Sequence, residues 1–366
     1  MPRRFVVRAK YAIVLVVLAS CAPAETVIDP PELSEDLPEE IAEEPTPAPA
    51  AAEAAPPAFR PEDVTTTPNL NLPGEEAFDH DVILEALRTA SSREFKPVGH
   101  TSVVFRMRLE GDHNAAYRPR TRRHRRGHLA EVAAYALGRF LGLDNVVPAT
   151  LRSETRMRIS EHLHPRYDDV NTWEDLEERI FYRSRTQTPG AAIYWVPDLQ
   201  ETELDSSASR REWQGWLAGG DIPEGRVALA RDLSNVRVFD YLIGNWDRFS
   251  GGNLKLFGSD VERVALRDHN VAFGRVGEER EEGLRNEVHA TQRFSRAVIA
   301  RLSQLDADGL EAAILRFNSE EEREELGLEI LHPTQSEALL ERAAVVLSHV
   351  GALIEAHGED SVLYFE

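Results

Sequence analysis

Asp247, Asn253 and Asp268 stand in that order in the second half of the 366-residue chain. Asp247 follows the apolar run Val238-Phe-Asp-Tyr-Leu-Ile-Gly-Asn-Trp246, Asn253 comes after Gly251-Gly252, and Asp268 closes Val264-Ala-Leu-Arg267. Phosphoryl transfer uses such a set. One carboxylate accepts the proton of the attacking hydroxyl, while an Asn and a second carboxylate hold a divalent metal on the nucleotide phosphates. Magnesium is often bound by one or two carboxylates and completed by substrate phosphates, which suits this ligand count. Each of the three alone reads equally well as a loop cap or turn former, because Asp and Asn dominate such places. The chemical reading rests on the ordered set. Arg248, beside Asp247, pairs either with a phosphate or with an acid of its own lobe.

Such residues act only where rigid elements hold them. Val236, Phe239, Leu242 and Ile243 are spaced to dock a helix on a core just before Asp247, and the strand-like residues 264–267 would aim Asp268 into a cleft. Upstream, residues 128–141 form a helical pattern with Val132, Ala133, Ala136, Leu137 and Phe140 on one face. Glu131 lies at the edge of that face, beside Ala134, Tyr135 and Gly138. It reads as an inward carboxylate for a cation on the neighbouring strand, or as a solvated acid favoured in a first helical turn. Arg118, in the strand-like run 115–119, is the available cation.

The remaining pattern places a short helix within residues 79–91 and two strands at 101–109 and 115–119, joined by Glu110-Gly-Asp-His-Asn114. Extended segments are expected at 146–151 and 156–160. A further hairpin is expected from 179–183 and 191–196, turning at Thr188-Pro-Gly190. From about residue 225 the pattern is helical, apart from a strand at 262–266, and is clearest at 294–305, 307–317 and 335–357. A strand-rich part followed by a helix-rich part gives an α+β chain of two unequal lobes, 77–200 and 201–366, with a cleft at the seam.

The N-terminus reads as an export signal. Arg3, Arg4, Arg8 and Lys10 precede the apolar residues 11–18, too few to span a bilayer. Leu18-Ala-Ser-Cys21 resembles the bacterial lipobox, in which the Cys is acylated, and Cys21 is the chain's only cysteine. Residues 22–76, rich in Pro, Glu and Ala, carry 14 acidic side chains against Arg60 alone. Such a composition predicts a disordered, self-repelling tether. The chain as a whole carries a net charge of −21, which argues against nucleic acid as the main partner. The expectation is an exported monomer, lipid-anchored at the periplasmic face of a bacterial membrane.

Residues 99–143 and 236–273 resemble the atypical kinases that include the secretory-pathway Golgi casein kinase and the four-jointed kinases. Bacterial phosphatidylinositol 3/4-kinase-like and HipA-like proteins are more distant kin. The motifs concerned are Ala115-Ala-Tyr-Arg-Pro119, His128-Leu-Ala-Glu-Val-Ala-Ala-Tyr135, Phe239-Asp-Tyr-Leu-Ile-Gly-Asn-Trp-Asp-Arg248 and Asp268-His-Asn270. The resemblance implies a protein-kinase-like two-lobed fold and transfer of the ATP γ-phosphate, with Mg2+ or Mn2+, to a protein, lipid or sugar hydroxyl. It gives Glu131 an ion-pair role, Asp247 the catalytic role and Asp268, with Asn253, the metal role. Residues 98–102, including Gly99, would cover the nucleotide.

Two positions depart from the family. Arg118 stands where it has a phosphate-binding Lys, and Phe249 where a His follows Asp-Arg. Arg for Lys is not conservative at a phosphate site. The alternative is therefore a pseudokinase that binds nucleotide or acts as a scaffold. The chain has only three lysines, Lys10, Lys96 and Lys255, and Lys96 is the candidate to reach the phosphates in place of Arg118. The run Arg118-Pro-Arg-Thr-Arg-Arg-His-Arg-Arg126 is a solvated loop or a surface for anionic head groups or acidic substrates. His128 with Glu131 lacks further ligands at useful spacing for a metal site.

Overall fold

Five strands build the sheet that carries Arg118: β1 (Ser92–Val98), β2 (Val104–Leu109), β3 (Asn114–Pro119), β4 (Ala149–Thr155) and β5 (Gln187–Tyr194). Their order is β1-β2-β3-β5-β4, and every neighbouring pair is antiparallel. The computed structural model describes residues 80–99, 102–111, 113–164, 172–183, 185–250, 252–258 and 262–366. Residues 1–79, with Cys21 and the acidic stretch, lie outside them, as do His100 and Thr101 of the expected covering loop.

Period-two alternation decides which side chains face the core. On β2, Phe105, Met107 and Leu109 are buried while Arg106 and Arg108 are exposed. On β3, Ala115 and Tyr117 share the core face, which leaves Ala116 and Arg118 on the other. β5 lies between β3 and β4 and is buried along nearly its whole length. Gly190 pairs with Pro119, and a Cβ there would come within 2.7 Å of both the Arg118 carbonyl oxygen and the Tyr117 ring. Only glycine lets β5 approach β3 this closely at the residue that presents Arg118.

Helix α1 (His80–Thr89) packs on β4 and β5, and α2 (Gly127–Phe140) crosses the same strands. Every residue of α2 is buried, including His128, Glu131 and Arg139. That suits a helix enclosed on all sides, here by the sheet and by a later helix. Two short helices follow, α3 (Arg156–Glu161) and α4 (Trp173–Arg179).

The second part is helical: α5 (Ser207–Leu217), α6 (Val227–Ile243), α7 (Glu278–His289), α8 (Arg296–Leu302), α9 (Ala307–Phe317), α10 (Glu320–Leu326), α11 (Pro333–His357) and α12 (Glu359–Val362). A two-stranded ribbon of β6 (Lys255–Phe257) and β7 (Arg263–Ala265) interrupts it. α9 is the helix that closes over α2, and α6 is the central helix, touching α5, α7, α11 and β7. Val236, Phe239, Leu242 and Ile243 on α6 are fully buried, as their spacing predicts. α6 stops at Gly244, whose φ of +65° is the left-handed C-cap conformation. The chain then turns into the loop that carries Asp247. None of these described helices is long and apolar enough to cross a membrane.

β7 is tied to both halves. Arg263 on β7 bonds Asp232 of α6 at 2.7 Å and Asp144, just after α2, at 2.6 Å. Leu266 N donates to Asn145 O at 2.8 Å, and Val147 N to Leu266 O at 3.0 Å. The segment that ends in Asp268 is thus fixed between the sheet part and the helical part.

Two expectations fail. Residues 156–160 are not extended but begin α3, because the Thr155 side chain accepts from Arg158 N and caps a helical turn. Residues 179–183 form no strand, and Thr188-Pro-Gly190 is not a turn but part of β5. α4 ends at Arg179, Ile180 and Arg183 make single bridges to Thr121 and Gln187, and β5 pairs with β3 and β4 instead.

Candidate active site

Arg118 is the hub of the site. It leaves β3 on the face away from the core, and its Nε lies 3.1 Å from Glu131 Oε1. Its Nη2 donates to Asp268 Oδ1 at 2.8 Å and its Nη1 to Ser102 Oγ at 3.3 Å. Glu131, 2% exposed, is thus the inward carboxylate and not a solvated one. Its other oxygen accepts from His269 N at 2.9 Å. Burial alone would raise the Glu131 carboxyl, but the His269 hydrogen bonds and the Arg118 charge outweigh it and hold it below the usual carboxylate range.

Asp268 reaches this position through an unusual backbone. Its φ is +60°, a left-handed conformation that Asp tolerates better than most residues. Backbone strain of this kind clusters at ligand sites. The bend sends the Asp268 side chain to Arg118 while the next amide donates to Glu131. Asp268 Oδ2 is left facing Arg267, 4.0 Å away.

The loop after α6 is held by a buried ion pair. Arg248, 1% exposed, donates from Nε and Nη2 to the two Asp240 oxygens, each at 3.0 Å. It also donates from Nη1 to Arg267 O, which joins the loop to the end of the ribbon. Burial would lower the Arg248 guanidinium, but Asp240 more than offsets this and raises it. Arg248 is therefore committed to an acid of its own lobe. Asn245 continues the brace, donating to Asp240 Oδ1 at 3.2 Å and accepting from Asp247 N at 3.4 Å. Phe249 stacks on Trp213 at 5.7 Å, with the Arg210 and Arg237 guanidinium groups each 4.9 Å from its ring. The residue that departs from the family pattern is built into the wall behind the loop.

Asn253 links this loop to the cleft. Its Nδ2 donates to Asp247 O at 2.8 Å, Asp247 Oδ2 at 3.0 Å and Ser250 Oγ at 3.2 Å. All amide donation is spent on the loop, so Oδ1 is the atom left to accept or to coordinate.

These residues border a cleft of about 620 Å³, within the size range of small-ligand sites. Gly99, Ser102, Arg118, Glu131, Asn253 and Asp268 all line it. Asp247 is not among the lining residues and connects to them through Asn253. Lys96 is not among the residues that line the cleft. It shares the sheet face of Val98 by alternation, but lies two residues further out and is exposed, opposite Arg106. The lysine that does line the cleft is Lys255, paired with Glu201, and Arg267 lines it too. Both escaped the sequence reading. The rarity of lysine and the position of Lys255 two residues after Asn253 were the available signals.

Among the described residues no three His, Cys, Asp or Glu side chains converge to hold a metal by themselves. Asp268 and Asn253 both line the cleft and offer two hard oxygen donors, Oδ2 and Oδ1. That set fits Mg2+ or Mn2+ completed by phosphate oxygens.

No family model and no curated protein matches the chain. Solved structures do. The Golgi casein kinase with Mn and ADP bound superimposes with a TM-score of 0.59 at 19% identity, covering 78% of this chain and 78% of that one. A second Golgi casein kinase structure gives 0.56 at 20% identity, over 78% and 79% of the two chains. Hydra Fam20 with sugar gives 0.57 at 16% identity, over 83% and 98%. The fold is the two-lobed, kinase-like fold of these proteins, as the motifs around Arg118, Glu131 and residues 244–248 led one to expect.

Proposed function

We propose that the chain is a kinase-like phosphotransferase that moves the γ-phosphate of ATP to a hydroxyl. The observation that carries this is the meeting of Arg118, Glu131, Asp268 and Asn253 in one cleft of a kinase-like fold, from segments up to 150 positions apart. Glu131 holds the Arg118 guanidinium at the cleft wall, where it would meet nucleotide phosphates together with Lys255 and Arg267. Gly99 and Ser102, at the β1–β2 turn, would cover them. Asp268 and Asn253 would hold Mg2+ or Mn2+, which when bound offsets phosphate charge; the manganese and ADP of the Golgi casein kinase structure support this choice. Asp247 would take the proton of the acceptor hydroxyl as its oxygen bonds to the γ-phosphorus and the bond to ADP breaks. Asn253, donating to Asp247 Oδ2, orients that carboxylate.

A specific contact favours a second reading, a pseudokinase. Arg118 already pairs with Asp268 at 2.8 Å. If that pair persists with nucleotide present, Asp268 keeps only Oδ2 for a metal and its charge is already shared with Arg118, which favours binding without turnover. Incubating the full chain with labelled ATP, Mn2+ and a panel of protein and sugar hydroxyl acceptors separates the two. Phosphate transfer lost in Asp247→Ala and Asp268→Ala supports the enzyme; nucleotide binding without transfer to itself or any acceptor supports the pseudokinase.

The same proposal extends to location. Leu18-Ala-Ser-Cys21 supports a lipid anchor at the periplasmic face of a bacterial membrane, with residues 22–76 as spacer. Globomycin should then block maturation of the full chain, and a Cys21→Ala chain should leave the membrane fraction.

A further inference from the structure

A second cavity, of about 670 Å³, shares no lining residue with the cleft. Three separate segments wall it. Arg120, Arg122 and Arg125 come from the β3–α2 connection, Arg156 from the first position of α3, and Arg185 with Phe181 and Tyr182 from the turn before β5. Five guanidinium groups thus converge from stretches of chain far apart in sequence, which an arginine-rich composition does not by itself produce.

Almost nothing neutralises them. Arg156 pairs with Glu177. Among the described residues, no carboxylate pairs with Arg120, Arg122, Arg125 or Arg185. The Arg120 guanidinium lies 4.4 Å over the Phe181 ring, and its buried Nε has no hydrogen-bond partner among the described residues. The Tyr182 hydroxyl is also buried and unpartnered among the described residues. Burial, then Glu177, pushes that phenol up to about 12, so it remains an O–H donor. Arg185 is held at φ +66°, a conformation that L residues rarely adopt. Like charges in one concavity repel, and buried donors without acceptors cost free energy. Both penalties vanish when an anion with many acceptor oxygens fills the space.

We propose that this cavity is a binding site for a compact anion bearing several phosphate groups. Guanidinium forks bind phosphate oxygens in pairs, and at least four uncompensated ones call for more than one phosphate. Concave walls and the lining rings of Phe181 and Tyr182 suit a discrete molecule better than a flat bilayer. The source is either a free polyphosphorylated metabolite or the phosphorylated headgroup of a lipid. The basic run 118–126, whose sequence suits a surface for anionic head groups or acidic substrates, supplies one wall of this pocket.

The test is calorimetric titration of the full chain with inositol hexakisphosphate, and separately with a water-soluble dibutanoyl phosphatidylinositol bisphosphate, in about 0.15 M salt. One-to-one binding is expected, weakened about tenfold or more in Arg122→Gln/Arg185→Gln, which removes two charge-assisted contacts. Both side chains are exposed, so the fold and the thermal midpoint should be unchanged. The control pair Arg211→Gln/Arg275→Gln, on exposed residues outside the cavity, should keep full affinity. Binding of either probe that depends on Arg122 and Arg185 upholds the site, and the ratio of the two affinities assigns the source. Absence of binding, equal loss in both double variants, or loss in Lys255→Gln but not in Arg122→Gln/Arg185→Gln would overturn it.

Discussion

Arg118 Nη2 lies 2.8 Å from Asp268 Oδ1, although the two residues stand 150 positions apart. With Glu131 Oε1 at 3.1 Å from Arg118 Nε, one guanidinium joins the sheet, helix α2 and the end of the β6–β7 ribbon. Glu131 is 2% exposed and has no water to fall back on. Breaking one partner of such a pair typically costs about 3–5 kcal/mol, because the remaining charge stays buried.

Arg118→Met should therefore lower unfolding free energy by about 3–5 kcal/mol. Pairing it with Glu131→Gln, which removes the orphaned charge yet keeps an acceptor for His269 N, should cost less than the sum of the single changes. Urea denaturation of the four chains measures this as a coupling of at least about 1 kcal/mol. Strict additivity would mean that the ion pair is not what holds Glu131 in place.

Arg248→Lys tests the brace behind Asp247. Lys keeps the charge but cannot contact both Asp240 oxygens and the Arg267 carbonyl at once. Losing hydrogen bonds to a charged partner costs about 1.5–3 kcal/mol, read as a lower urea midpoint with an unchanged slope. Nucleotide affinity should fall as well, since Arg267 loses its anchor beside Asp268. An unchanged midpoint would remove the brace from the explanation.

His128 should make the fold acid-sensitive. It is 1% exposed on α2. Burial, then Arg120, Arg126 and Arg118, pushes its pKa from 6.5 down to about 3. The unfolded chain takes up a proton near 6.5 and the folded chain does not until about 3, so stability falls as pH drops through that window. By about pH 5 the loss attributable to this residue is about 2 kcal/mol, at 1.36 kcal/mol per unit. His128→Leu should remove that part of the slope when urea midpoints at about pH 7 and about pH 5 are compared. An identical pH slope in both chains would show that His128 takes a proton in the folded state.

Much of the site was legible because it is carried by types and spacing. Asp247, Asn253 and Asp268 lie close together in sequence, and the helices before Asp247 and around Glu131 show unbroken apolar periodicity. The partnership of Glu131 with Arg118 could also be read, since strand and helix are neighbours along the chain. The link from Arg118 to Asp268 could not, because nothing local encodes a contact across 150 positions. β1 was hidden by Arg93, Glu94, Lys96 and Pro97, which suit an edge strand and blur its alternation. Residues 156–160 alternate charged and apolar side chains as a strand would, yet Thr155 caps them into a helix. Lys255 and Lys96 show the same limit: both are rare lysines, and only tertiary placement tells which one lines the cleft.

The most direct test is thermal unfolding of the full chain with ADP and Mn2+, alone and together, beside Asp268→Ala. ADP with Mn2+ at about a hundred times Kd should add about 2.7 kcal/mol, a rise in midpoint of roughly 5 °C. Either alone should add much less, and Asp268→Ala should abolish the joint effect. A midpoint that ADP and Mn2+ together leave unmoved in the unaltered chain would contradict the kinase-like cleft.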